Sequence, residues 1–196
     1  TQFPLFFPER RGFFLEGATF FDFGREPGNT IRPFFSRRIG LSSAGNPIPI
    51  AGGARISGKV RNYDAGFIAM KTEKSGTIPS NNYVVGRIKR DLFRNSFIGA
   101  IVTGRNSDRP GDYNRVFGMD THLLFYDKLD LNSYILGSTT GGAHSDGRNQ
   151  AKLASAAWRD DEFVISGEFN TVQPNFNPEM GFIRRRDVSQ YSSEVS

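Results

Sequence analysis

The chain has 196 residues, a net charge of +5, 19 phenylalanines, 22 glycines and no cysteine. With 37 % hydrophobic residues it is too apolar for a disordered chain, and no apolar run nears the roughly 18 residues of a membrane-crossing helix. The lack of cysteine excludes disulfides, zinc–thiolate sites and thiol nucleophiles together.

The chain opens at Thr1 with no charged-then-apolar leader, so a mature or excised piece is expected. Ten of the 19 phenylalanines fall between Phe3 and Phe35, mostly in pairs and interleaved with Pro4, Pro8, Pro27, Pro33 and four glycines. Residues 1–50 keep neither a two-residue nor a 3.6-residue period, which predicts irregular, turn-rich structure. Paired rings are costly to leave in water, so this segment is expected to line a larger β-structure or dock on a partner.

From Gly52 a period of two takes over. Ala54, Ile56, Gly58 and Val60 alternate with Arg55, Ser57, Lys59 and Arg61. Phe163, Ile165, Gly167 and Phe169 alternate with Val164, Ser166, Glu168 and Asn170. Alternation of this kind predicts strands at 52–61, 65–74, 82–91, 96–105, 113–126, 130–140, 150–160 and 162–171, with another from Gly181 and no helix. Tight connections at Asn62–Asp64, Leu92–Asn95, Asp127–Leu129 and Asp160–Asp161 alternate with longer ones at 75–81, 106–112, 141–149 and 172–180.

Short–long alternation predicts an all-β, up-and-down antiparallel meander, a barrel or partial barrel of the outer-membrane type. The domain division is then 1–50 as an irregular Phe-rich lead-in or plug and 51–196 as a barrel-like sheet, incomplete at its C-terminus. Midstrand Gly66, Gly86, Gly99, Gly118 and Gly167 fit a curved sheet. Tyr83, Tyr113, Phe117, Phe125, Tyr126, Trp158 and Phe163 gather towards strand ends, as an interfacial girdle does.

Outward Ala54, Ile56 and Val60 place Arg55, Lys59 and Arg61 on the inner face, joined by Arg87, Lys89, Asp120, His122 and Glu168 as lumen lining. Arg90 shares the outer face with Val84 and Ile88 and must lie near an interface, because a mid-bilayer Arg costs ~2–4 kcal/mol. Glu9, Arg10, Arg11, Glu16, Arg37 and Arg38 form the expected charge network of the lead-in, since carboxylates among buried rings need cationic partners. No nucleophile elbow, phosphate loop or zinc-protease motif occurs. His144 and Asp146 in a Gly-rich loop are ordinary turn residues before they are cation ligands. Basic residues alternate with apolar ones instead of clustering, which argues against nucleic acid.

Phe7-Pro8-Glu9-Arg10-Arg11-Gly12-Phe13-Phe14-Leu15-Glu16-Gly17 resembles a bacterial pattern, Phe-Pro-Glu-Lys/Arg-Arg-x-Phe-Phe-Leu-Glu-Gly. Phe34-Phe35-Ser36-Arg37-Arg38-Ile39-Gly40 is similar to its companion, aromatic-Ser-Arg-Arg-Ile-Gly, and Pro49 to Arg55 resembles the entry into the first strand. These words belong to envelope proteins in which a family-nine-like carbohydrate-binding module precedes a C-terminal domain of unknown function thought to be an outer-membrane-type barrel. The resemblance runs from Phe3 to about Gly181. It implies a Gram-negative envelope location, outer membrane or periplasmic side, with glycan as a candidate ligand; it carries no catalytic residue and no cofactor, and the carbohydrate-binding module itself is absent here.

The resulting expectation is a non-enzymatic outer-membrane barrel portion linked to glycan binding or uptake, with a membrane or membrane-protein assembly as partner. One alternative is a periplasmic-side interaction subunit docked on a larger membrane assembly. A remoter one is an envelope glycan hydrolase using Glu9 or Glu16.

Overall fold

The computed structural model describes residues 9–24, 31–42, 45–142 and 147–196. Phe3, Phe6 and Phe7 lie outside the described residues, as do His144 and Asp146. Period-two alternation produces long strands: β2 (Ile50–Val60), β3 (Tyr63–Thr72), β4 (Asn81–Asp91), β5 (Phe97–Ser107), β6 (Tyr113–Phe125), β7 (Leu129–Thr140), β8 (Gln150–Arg159), β9 (Val164–Val172) and β11 (Val188–Val195). These nine form one antiparallel sheet in which each strand pairs with its neighbours along the chain, from β2 at one edge to β11 at the other. The meander is therefore all-β and up-and-down, and the sheet is not closed into a barrel.

Two short strands lie apart from it. β1 (Ile31–Arg32) and β10 (Phe182–Ile183) pair with each other, Ile31 opposite Ile183. The strand expected from Gly181 thus splits in two: β10 is taken by the lead-in, and the ninth strand of the main sheet starts only at Val188. Residues 1–50 also hold a helical turn, α1 (Gly12–Leu15), and 3-10 turns at Ala18–Phe21 and Ser36–Arg38, where no helix was expected. Each is a single turn, too short to show a 3.6-residue period.

The tight turns lie at one end of the sheet. Arg61, Asn95, Tyr126 and Asp127 adopt left-handed backbone there, which Asn and Asp tolerate better than other non-glycine residues. Arg61 therefore sits in the turn after β2, exposed, and not on the inner face as expected.

Burial falls on one face. Ile68, Val85, Ile101, Val116, Leu136, Leu153 and Val172 are buried on it, and the lead-in packs against them. Phe14, Phe21 and Ile39 join Ile68, Met70, Tyr83, Val85 and Met180 in one cluster. Ile31, Phe23 and Phe34 join Ile101, Val116, Tyr134, Leu136, Leu153 and Phe176 in another. Tyr83, expected in a girdle, belongs to this interior. Segment 174–183 closes the long-loop end: Phe176 and Met180 are fully buried, the Phe35 N–H donates to the Met180 carbonyl (2.7 Å), and Arg38 Nε donates to the Gly181 carbonyl (3.0 Å).

Two midstrand glycines make this packing fit. A Cβ on Gly66 would stand 2.8 Å from the Phe21 ring, and one on Gly118 would stand 2.3 Å from Leu136 and 3.0 Å from Phe23. Their role is to admit rings of the lead-in as much as to curve the sheet.

Candidate functional site: a filled concave face and an apolar outer face

At the centre of the filled face, β4 and β6 contribute Arg87 and Asp120, both almost fully buried. Arg87 Nη1 and Nη2 donate to Asp120 Oδ1 and Oδ2 at 2.6 and 2.8 Å, a bidentate pair. The pair reaches beyond the sheet. Arg87 Nε donates to the Asp22 carbonyl (3.1 Å), the Gly24 N–H donates to Asp120 Oδ2 (2.9 Å), and the guanidinium lies 5.3 Å from the Phe23 ring centre. Two strand residues thereby satisfy each other's charge and grip Asp22–Gly24 of the lead-in. Gly99 on β5 leaves the space, since a Cβ there would lie 2.5 Å from Arg87 Nη1.

A second cluster folds the lead-in onto itself. Arg11 pairs with Glu9 (2.7 Å) and donates to the carbonyls of Ile39 (2.7 Å) and Ser36 (2.9 Å), while Ser36 Oγ donates to Glu9 Oε2 (2.7 Å). Burial pushes the Glu9 carboxyl up, but hydrogen bonds from Arg11, Ser36 and the Arg10 N–H outweigh it and bring the group from 4.5 down to about 2. Arg38 ties the lead-in to Gly181 as above. Arg10 adds only its backbone N–H, its side chain being exposed. Glu16 stands apart, 84 % exposed and paired with Arg55 of β2 (3.0 Å), whose guanidinium also donates to the Phe13 and Glu16 carbonyls. Arg37 has contacts of its own. Glu9 and Glu16 thus serve different partners.

Near the tight turns the inner face is densely charged. Lys59 approaches Asp91 (2.5 Å) and Asp64 (3.3 Å), and Lys89 pairs with Asp64 (2.8 Å). The His122 ring bonds Asn132 (2.8 Å) and lies 3.3 Å from Asp130, which also meets Arg159 (3.4 Å). Between the lead-in and β7, β8, β9 and β11 lies a cavity of about 810 Å³, with Asp22, Asp130, Glu168 and Glu194 against Arg32 and Arg159 in its wall. Burial raises the Asp22 carboxyl above its ordinary value, partly offset by Arg32, Arg87 and Lys89. Among the described residues no three His, Asp or Glu side chains are placed to hold a metal ion.

Asp22, Asp64, Asp130 and Glu194 were not singled out from sequence. Period-two parity could have found the three strand residues, because each shares the face of Arg87 across the registers; Asp22 lies in a segment with no period to count.

The outer face has the opposite character. Ile56, Phe67, Val84, Ile88, Val102, Phe117, Met119, Ile135 and Ile165 are exposed on it, Phe117 by 59 %. A groove of about 690 Å³ follows one row of paired residues, Gly86, Val102, Phe117, Gly137 and Gln150. Tyr63, Phe93, Tyr126 and Phe163 are exposed at the tight-turn end, and Arg90 lies there, 5.5 Å from the Tyr63 ring centre. Among the described residues no helix is long and apolar enough to cross a membrane.

Compared with known proteins, the chain matches no family model, no characterised protein and no solved structure.

Proposed function

We propose that this chain is a non-enzymatic portion of an outer-membrane-type β-barrel of the bacterial envelope, with residues 9–24 and 31–42 seated inside it as a resident plug. The observation that carries the reading is the character of the outer face. Every carboxylate borne by the strands (Asp64, Asp91, Asp120, Asp130, Glu168 and Glu194) lies on the inner face with the plug, while the outer face is apolar and exposed. The inner face also buries the apolar clusters under the lead-in, but a water-facing sheet over such a core would carry its charges on the outer face, whereas lipid-facing barrels keep that face apolar. Strands of 8 to 13 residues suit the roughly 9–11 that a tilted strand needs to cross the hydrocarbon. The resemblance of the N-terminal words to the envelope family points the same way and is the sole support for glycan as ligand.

Among the described residues the outer edges of β2 and β11 have no neighbouring strand, which favours a second reading, docking on a larger membrane assembly whose strands would continue the sheet. One experiment separates the two. The chain is refolded from detergent with lipid vesicles, then assayed for protease protection and for a gel mobility that changes on heating. Insertion of the chain alone supports a barrel portion that holds in lipid. Aggregation without a partner, relieved by co-expression with a larger envelope protein, supports docking. A soluble, monodisperse monomer that ignores vesicles would overturn both.

A further inference from the structure

The apolar outer face has an asymmetric border, and its charge specifies what lies beside it. Strand residues on this face carry four cations, Lys71, Arg90, Arg115 and Lys152, and among the described residues no carboxylate; Glu73 and Asp108 sit in connections beyond the strand ends. Arg90 alone is near the tight turns, where Arg94–Asp127 (3.6 Å) and Lys128–Asp160 (2.7 Å) pair charge with charge. The other three lie towards the long loops. Asn82 and Asn106 continue their line on β4 and β5, opposite Lys71 and each other.

The register shows that this border is level. From Lys152, the paired residues run through Ile135, Met119, Ala100 and Ile88 to Ala65 of β3, six residues from Lys71 and five strands away. Six residues at about 3.3 Å against five spacings of about 4.8 Å give a slope of roughly 40°. Barrel strands tilt by about 35–45° to their axis. Lys71 and Lys152 therefore stand at one height above the apolar band when the strands have a barrel's tilt. Arg115, whose row meets β3 at Ala69, stands on the loop side of the line joining them. Its guanidinium lies 5.1 Å from the Tyr113 ring centre.

Resting on the proposed lipid-facing role of this face, we infer that Lys71, Arg115 and Lys152 form a headgroup rim that binds the phosphates of anionic lipids in the leaflet on the long-loop side. The acyl chains of those lipids lie along the band below, where the Gly86–Gly137 groove gives them a channel. The occupant is set by charge: two cations at one height with a third just to the loop side, and among the described strand residues no acid between them, complement a layer of net negative charge and not a neutral or zwitterionic surface.

The test uses the full chain refolded into phosphatidylcholine vesicles, alone or mixed with phosphatidylglycerol, with insertion read by protease protection and lipid preference by partitioning between the two vesicle populations. The wild-type chain should prefer the anionic vesicles. Lys71→Gln, Arg115→Gln and Lys152→Gln should each reduce that preference about five-fold, as about 1 kcal/mol per surface cation implies, with insertion into neutral vesicles unchanged. Arg94→Gln and Lys128→Gln at the opposite end should leave the preference intact. Equal insertion into both vesicle types, or a preference that survives the triple replacement, overturns the rim and leaves the lipid-facing reading standing. Failure to insert into either vesicle type overturns that reading and the rim with it.

Discussion

At the scale of single residues, Arg87 and Asp120 show how a buried charge can organise a segment that has no regular structure. Removing one partner of a buried ion pair leaves an uncompensated charge and costs about 3–5 kcal/mol. Asp120→Ala should therefore destabilise the refolded chain by about that amount in a denaturant titration, and it should also release the Gly24 N–H and with it the lead-in. Glu9 makes a separate pH prediction. Its carboxyl, held down at about 2 by Arg11 and Ser36, contributes stability that is complete above its ordinary value of 4.5 and lost as pH falls towards about 2. Protease access to residues 9–21 should rise across that window, and Glu9→Gln should flatten the dependence. No change in access between pH 5 and pH 2 would show that the Glu9–Arg11–Ser36 cluster does not hold the lead-in.

At the scale of elements, the lead-in and the sheet are complementary surfaces, and the midstrand glycines are where they meet. Gly66→Val places methyl groups where the Phe21 ring now lies. Overpacking of this kind costs about 1–3 kcal/mol, and here the lead-in should yield before the ladder does. The expected outcome is faster amide exchange over 14–23 with β3 and β4 still protected; loss of protection in both would mean that plug and sheet form a single cooperative unit. The strands themselves were legible in the sequence because runs such as Ala54 to Arg61 and Phe163 to Asn170 obey a period of two that survives any detail of packing. The inner placement of Arg55, Lys59, Arg87, Lys89, Asp120, His122 and Glu168 followed from the same parity. Arg61 departed because a tight turn begins one residue earlier than the alternation suggests. The lead-in was legible only as something apolar that must be covered. Its helical turns are single turns too short to show a period, and its pairing with β10 and the grip on Gly24 depend on residues far apart in the chain, which no local period reports.

At the scale of the whole molecule, the distribution of charge between the faces is the property that lipid would read. Phe117→Arg and Ile135→Arg place a cation in the middle of the exposed apolar band. If that band lies in hydrocarbon, each should disfavour insertion by ~2–4 kcal/mol in equilibrium partitioning, and Thr139→Arg, close to the basic border, should have a smaller effect. Indifference to all three would mean that water and not lipid covers this face. An inner-face replacement such as Glu168→Gln should leave insertion unchanged, because that position faces the cavity.

The short pairing of β1 with β10 also bears on how the molecule is made. Each strand of the sheet pairs with its neighbour along the chain, so the meander can grow one hairpin at a time with short loops to close. The lead-in cannot join that sequence of events. It precedes the sheet in the chain, yet Ile31 meets Ile183 and Phe35 meets Met180, which follow eight strands later. Its rings must remain without their final partners until the sheet exists, and the long loop closed at that moment carries its own entropic cost. Folding should therefore show a fast phase of hairpin growth and a late, separate phase of docking. During the interval the nascent chain is the form most in need of a holding chaperone.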